Sequence, residues 1–589
     1  SPGDAPSEIL LPGAVTQLLS RKEMLADPDA LKAVRKEADG LEKKGTWDFN
    51  TVRECDAVKA EAKAKGIKVH LGNLMSICSI KFAELARDLQ ILKGRIVYRG
   101  DSAKDEWGSA AIYQELAASP TSIQAANANI AYGLFPGNKT TTADAVKAYV
   151  QSALKSKHPT WIALPPELWP ASWRGKFRRP MVRLIKSLYG HPESGAHWER
   201  HLEDILKREF NAVVVDGHPS SYWFADTKLL LTVYVDDLVL SGPESAHDAF
   251  WKKLEKHVDV EEVTPLERFL GRHHEFSNGT VADFAPTSDA DRSSNKTAVR
   301  GLRFDMAAYA RQAVDMYVRE TGTKTLRAAA TPFCPEGSLT ASDDDIEGEV
   351  SHAACAILMK MLWLGRLARP DIIRAIAGLA SKVQKWTRNC DKQLYRLACY
   401  LNSTADLKLN AYIGDPPEKL KLKLYADADF AGDNADARST SGGYLVVVGP
   451  NSFFPVSWVS KKQTSTSRST TESEIVSMAY CVYSEALPML NLFDLLIGGD
   501  GCPWEACEDN EATIKVIKNG FSAKLRHISR THKVNISGLS EVLRGPGEDD
   551  WRIQYVGTKE QAADIFTKAL GPQLWGPALD MLGIRRNAG

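Results

Sequence analysis

Two adjacent aspartates, Asp236 and Asp237, interrupt an otherwise apolar run at residues 229–241, LeuLeuLeuThrValTyrValAspAspLeuValLeuSer. Burying two unpaired carboxylates is costly, so the pair requires water, a cation or a metal ion. A tight hairpin satisfies both demands. It presents the acids at its tip while the flanking strands stay in a sheet. Asp is a turn former in its own right. A two-residue hairpin turn more usually takes Gly or Asn, however, so a plain turn is the weaker account.

The chain has 589 residues, room for roughly three or four domains. Lys plus Arg equals Asp plus Glu, 74 each, so net charge does not point to a polyanionic partner. One local cluster does: Arg174, Lys176, Arg178, Arg179, Arg183 and Lys186, interleaved with Trp169, Trp173 and Phe177. It reads equally as a nucleic-acid contact or as a solvated basic face. The nine cysteines are odd in number and scattered. Cys502 and Cys507 lack a second pair at zinc spacing, so the thiols read as free or buried in a reducing compartment. No apolar run approaches the roughly 18 residues of a membrane span, and no secretory signal is evident. The chain opens on Ser1 rather than Met, which suits a fragment or a processed product.

Residues 1–29 are punctuated by Pro and Asp and read as a loosely ordered leader. Residues 30–65 read as helix, with Leu31, Val34, Ala38 and Leu41 at helical spacing. Residues 277–300 read as a flexible insertion, and residues 351–403 as a largely helical block. Near Pro416 the pattern changes. Leu420, Leu422 and Leu424 alternate with lysines, the mark of a half-buried strand. Strand-like runs follow at 443–448 and 453–460, then a long helix from about Thr470. A strand precedes Asp509, another covers 551–556, and helices lie between and after. This predicts a mixed α/β unit of its own.

Tyr234-Val235-Asp236-Asp237 resembles the catalytic motif of reverse transcriptases. Other strings resemble the copia-type retrotransposon version of that enzyme in the same order: Leu41-Glu-Lys-Lys-Gly-Thr-Trp47, Arg183-Leu-Ile-Lys-Ser-Leu-Tyr-Gly190, Trp198, Arg268-Phe-Leu-Gly271, Thr331-Pro332 and Arg369-Pro-Asp-Ile372. The resemblance implies a polymerase right hand of fingers, palm and thumb. It also implies a third metal-binding carboxylate at Asp144, which unaided would pass for a helix cap. Two divalent ions, Mg2+ or Mn2+, would serve nucleotidyl transfer. Tyr149 matches an aromatic that excludes a ribose 2′-hydroxyl. Lys93, Arg95 and Arg99 match basic, substrate-binding positions of the fingers, with Lys93 and Arg95 as the triphosphate contacts. One departure stands out: Glu193 replaces a glutamine of the family, and an anion there would repel phosphate unless paired or protonated.

Leu424-Tyr-Ala-Asp427-Ala-Asp429 ends a strand with two acids on one face. With Ser439-Thr-Ser-Gly442, residues 457–463, Thr471-Glu472, Asp509-Asn510 and Ala563-Asp-Ile-Phe-Thr-Lys568, it resembles the copia-type ribonuclease H domain. The resemblance implies metal ligands at Asp427, Glu472, Asp509 and Asp564, two ions in this site also, and a helper at His527. Each acid has a plainer reading. Ser469-x-x-Glu472 is a capping box, and Asp564 reads as a solvated acid on an amphipathic helix.

The expected architecture is therefore an α/β (α+β) multidomain protein. It has a leader at 1–29, fingers and palm at 30–275, a thumb or connection at 276–415, a ribonuclease H-like domain at 416–575 and a tail at 576–589. The expected activity is RNA-directed DNA polymerisation with hydrolysis of RNA in hybrids. Its partners would be RNA template, DNA primer, RNA-DNA hybrid and deoxynucleoside triphosphates, with no membrane. The resemblance places it inside the cell, in a virus-like particle or the nucleus. The alternative is a catalytically inactive, retrotransposon-derived nucleic-acid-binding protein.

Overall fold

The computed structural model describes residues 17–81, 90–113, 118–286, 288–430, 437–547 and 549–586. These residues form a mixed α/β, multidomain structure built on three sheets.

The first sheet has the order Gln17–Leu18, His70–Lys81, Thr160–Ala163, Pro180–Leu184, Trp47–Glu54, with Ile91–Tyr98 paired to His70–Lys81. Residues 30–65 are not one helix. Helices Pro28–Lys43 and Cys55–Lys65 flank the strand Trp47–Glu54. Gly45, at φ +67°, makes the sharp exit from the first helix, and residues 47–54 then pair with Pro180–Leu184. Asp27 caps the first helix through the amides of Asp29 and Ala30. Its buried stripe Ala30, Val34, Ala38 and Leu41 packs on the strand Ile91–Tyr98. That approach requires Gly94, where a Cβ would lie 2.6 Å from the Val34 Cα. Because side chains alternate, the flanking Lys93 and Arg95 face outward and are exposed.

The second sheet is antiparallel, in the order Thr264–Pro265, Asn138–Asp144, Asp237–Pro243, Leu229–Tyr234, Ser221–Phe224, Val213–Val214. One face is covered by helix Ser194–Phe210, whose Trp198, Leu202, Ile205 and Leu206 join a core with Leu231, Val233, Leu238 and Leu240. The other is covered by helix Ile123–Gly133. This helix carries two buried asparagines that tie sheets together. Asn129 donates to Thr232 Oγ1 and to the Val239 carbonyl, each at 2.8 Å. Asn127 donates to the Val456 carbonyl of the third sheet at 3.0 Å.

The third sheet has ten strands, and its path runs Arg268–Phe269, Arg272–Thr280, Ala298–Asp305, Lys408–Ile413, Ser452–Lys462, Thr440–Gly449, Lys421–Asp429, Trp504–Glu508, Ile553–Tyr555. The last two pairings are parallel. Residues 277–300, expected as a flexible insertion, instead hold the paired ends of two strands, from Ser277↔Gly301 to Thr280↔Ala298, and two short helices. Polar composition hid them, because a long-range hairpin needs no apolar face at its tip. The expected boundary at 415/416 falls inside this sheet: Lys408–Ile413 pairs with Ala298–Asp305 on one side and meets Phe453 through Tyr412 on the other. Both expected chain ends are also built in. Gln17 and Leu18 pair with Ile80 and Ser79, and Ile584 and Arg585 with Leu409 and Lys408. Residues 1–16 of the expected leader and 587–589 of the expected tail lie outside the described residues. No described helix is long and apolar enough to cross a membrane.

Candidate functional site

The two apolar runs of residues 229–241 form the expected hairpin. Tyr234 pairs with Asp237, leaving Val235 and Asp236 as the turn. Val235 sits at φ +61°, a region that β-branched residues avoid at a cost on the order of 1–3 kcal/mol. Two hydrogen bonds hold the turn in that state. The Trp198 indole N–H donates to the Val235 carbonyl at 2.7 Å, and the Ala145 amide donates to the Asp236 carbonyl at 2.8 Å. Asp144 ends the neighbouring strand directly opposite Asp237. The three expected carboxylates therefore meet at one sheet end.

Their electrostatics follow from that crowding. Burial, with Asp144 and Asp236 alongside, pushes the Asp237 carboxyl up to about 7. Burial also raises Asp236. Asp144 adds to that shift, while the positive charges of Arg95 and Lys93 oppose it. Tyr149 packs against Tyr189 at a centroid distance of 4.6 Å, and its hydroxyl is raised by burial and by Asp236. The exposed Arg99 guanidinium pairs with Asp101 at 3.0 Å. Glu193, the departure from the family pattern, is buried, hydrogen-bonded by Ser156 Oγ, and 3.4 Å from His197 Nε2. Glu193 thus has polar neighbours inside the fold, while burial holds His197 toward its neutral form. The aromatics of the basic cluster are likewise structural: Trp173 is buried, and Trp169 and Phe177 pack with it. Arg174, Lys176, Arg178 and Arg179 are exposed around them.

The second acidic group forms where the strand Lys421–Asp429, the helix Thr470–Cys481 and the end of the strand Trp504–Glu508 converge. One carboxylate oxygen each from Asp427, Glu474 and Asp509 lies within 4.8 Å of the others. This corrects the expectation of Glu472. Two residues apart on a helix point about 200° apart, so only one of the two glutamates can face the strand. Ser477, one turn after Glu474, donates to the Asp427 carbonyl at 2.6 Å and fixes which face that is. Glu472 instead receives the Arg468 amide at 2.8 Å and lies 3.0 Å from His527 Nε2 and 3.3 Å from His532 Nε2. His527 is therefore a partner of Glu472. The signal that would have found Glu474 was helical phase, since Glu474, Ser477 and Met478 share one face.

Asp564 lies on the short 3-10 turn Asp564–Phe566, not on an amphipathic helix, because Ile565 and Phe566 are both buried. Lys568 Nζ joins it to the group, 2.6 Å from Asp564 Oδ1 and 3.2 Å from Asp427 Oδ1. Thr567 Oγ1 donates to the other Asp427 oxygen. Burial raises Asp427 to about 7 and Glu474 to about 11, with Glu508, Asp427 and Asp509 adding to the latter. Glu508, unanticipated from sequence, is also buried and raised well above the carboxylate range, chiefly by burial. Among the described residues, neither Glu474 Oε2 nor Glu508 Oε2 has a hydrogen-bond partner. So many crowded acids cannot all ionise without a cation, and their oxygen donors suit a hard divalent one.

The reverse transcriptase (RNA-dependent DNA polymerase) family matches residues 143–282, a span that contains Asp144, Tyr149, Asp236 and Asp237. The chain is 26% identical over 411 residues to the retrovirus-related Pol polyprotein from transposon RE1 of Arabidopsis thaliana, covering 69% of this chain and 25% of that protein. It is 24% identical over 444 residues to the truncated transposon Ty1-A Gag-Pol polyprotein of Saccharomyces cerevisiae, covering 73% and 33%. The Pol polyprotein from transposon TNT 1-94 of Nicotiana tabacum is 22% identical over 422 residues, covering 69% and 28%. The matched region thus spans about a quarter to a third of these relatives. The chain is thus similar to retrotransposon Pol polyproteins, in line with the copia-type resemblance of its motifs.

Proposed function

We propose that the chain is an RNA-directed DNA polymerase that also hydrolyses the RNA of RNA-DNA hybrids, taken from a copia-type Pol polyprotein. The observation that carries the polymerase reading is Asp144 standing opposite Asp237 beside a strained Tyr-x-Asp-Asp turn. The second activity rests on the close group of Asp427, Glu474 and Asp509. On this reading the first two sheets are the fingers and palm of a right hand. The third sheet would then join the connecting residues 276–413 to a ribonuclease H-like unit, with no break at 415/416.

Asp144, Asp236 and Asp237 would hold divalent ions in one centre, and Asp427, Glu474, Asp509 and Asp564 in the other; Mg2+ is the assignment, with Mn2+ as substitute. Bound there, such ions supply Lewis acidity and neutralise charge at a reacting phosphate. The protein's own groups do the rest. Lys93 and Arg95, held outward by the Gly94 approach, attract the triphosphate and offset its charge. Tyr149, braced by Tyr189, blocks a ribose 2′-hydroxyl and selects deoxynucleotides. Trp198 keeps the turn, and hence Asp236, in register. In the ribonuclease centre, a 2′-hydroxyl on the cut strand and phosphate contacts to the DNA strand would choose the hybrid.

Primer extension on a homopolymeric RNA template, with Mg2+ and with Mn2+, tests the reading. Extension by the unmutated chain and its loss in Asp144→Asn are expected. No extension by folded protein with either ion would overturn the polymerase assignment.

A further inference from the structure

Lys568 occupies an unusual position for a surface-capable cation. Its ammonium sits between Asp427 Oδ1, at 3.2 Å, and Asp564 Oδ1, at 2.6 Å. The backbone that carries it is tied down. Arg374 Nε donates to the Thr567 carbonyl at 2.9 Å, Ser460 Oγ donates to the Phe566 carbonyl at 2.6 Å, and the Lys568 amide donates to the Asp564 carbonyl at 2.9 Å. The side chain is not: it is 38% exposed, so a flexible four-carbon stem has a route to solvent. On the other side of Asp427 the situation is reversed. Glu474 is buried and its Oε2 has no hydrogen-bond partner among the described residues; Lys568 acts on it through charge alone.

We propose that Lys568 is a resident cation that makes the two sides of this acidic centre unequal. The Asp427–Glu474–Asp509 side takes a divalent ion directly. The Asp427–Asp564 side takes one only when the ammonium has swung out. The physical reason is simple. An ammonium within about 3 Å of both carboxylates would lie against any ion they shared, and like charges at that distance repel strongly where water is scarce. An incoming phosphate would give the displaced ammonium a new partner, which would link the second ion to the presence of a polyanionic substrate. This inference rests on the ribonuclease reading above.

The test counts Mn2+ ions on the full chain, by calorimetry and by the paramagnetic signal of free Mn2+. Asp144→Asn and Asp236→Asn are present throughout to silence the polymerase centre. In that parent, one ion that depends on Asp427 should bind at least about tenfold more tightly than a second. Lys568→Met should tighten the second ion to within about threefold of the first, whereas Lys568→Arg should keep the inequality. Two equal ions in the parent, or a second ion indifferent to Lys568→Met, overturn the inference while leaving the ribonuclease reading intact. Mn2+ binding that Asp427→Asn leaves unchanged sinks both. Thermal unfolding in EDTA reports whether each variant folds. If Lys568→Met does not, the parent's own ratio of affinities decides.

Discussion

Trp198 donates its indole N–H to the carbonyl of Val235, 2.7 Å away, and so braces the strained residue that precedes Asp236. Trp198→Phe keeps most of the ring and loses the bond. Primer extension should fall by about tenfold, from a loss near 1.4 kcal/mol in positioning. Hybrid hydrolysis, which uses a different sheet, should be unchanged. Equal loss of both activities would mean that Trp198 serves only global folding.

Arg369 and Asp371 form a fully buried pair, with Nε and Nη2 donating at 2.9 and 2.7 Å. Tyr400 donates to the same carboxylate at 2.6 Å, and Arg369 also reaches the Thr404 carbonyl at 2.7 Å. Removing one charge strands the other. Asp371→Asn should cost about 3–5 kcal/mol in chemical unfolding. A cost below about 1 kcal/mol would show that water reaches the pair.

His191 is buried, and burial pushes its imidazole down to about 4, with the neighbouring Glu193 opposing the shift. The folded state therefore prefers the neutral ring. For a depressed histidine, the stabilisation is present above its unfolded value of about 6.5 and is lost as pH falls toward its folded value. Unfolding free energy should drop by up to about 3 kcal/mol more in the wild type than in His191→Gln between pH 7 and pH 4. Parallel pH profiles would contradict this.

Glu474 and Glu472 make opposite demands on the same helix. Glu474→Gln removes a member of the acidic group and should lower hybrid hydrolysis by at least about a hundredfold. Glu472→Gln keeps a group that can still accept the Arg468 amide, and should cost about tenfold or less. Side-by-side rates on a fluorescent hybrid measure this. The reverse ranking would restore Glu472 as the ligand.

Some of this is legible in the sequence alone. The Asp236–Asp237 hairpin could be read because its strands are apolar on both faces and its tip cannot be. The strands around Asp427 could be read from lysine–leucine alternation. Asp144 could not be read from local pattern, since its meaning lies in a cross-strand neighbour 93 residues away in sequence, Asp237. Glu474 is masked by a capping pattern that accounts for Glu472 and carries no information about the glutamate two residues on. The continuity of the third sheet depends on contacts such as Tyr412↔Phe453, and pairings of that range leave no trace in local periodicity. Arg99 finds a counter-charge in Asp101, two residues on, a local pairing that the resemblance does not reveal.

The central claim is that two separate acidic centres carry two chemistries, and paired assays on one preparation test it most directly. Primer extension and hybrid hydrolysis would be measured for the unmutated chain, Asp236→Asn and Asp427→Asn. Asp236→Asn should abolish extension and spare hydrolysis, and Asp427→Asn should do the opposite, each by at least about a hundredfold. A folded, metal-supplied wild type lacking both activities, or either substitution removing both, would contradict the account.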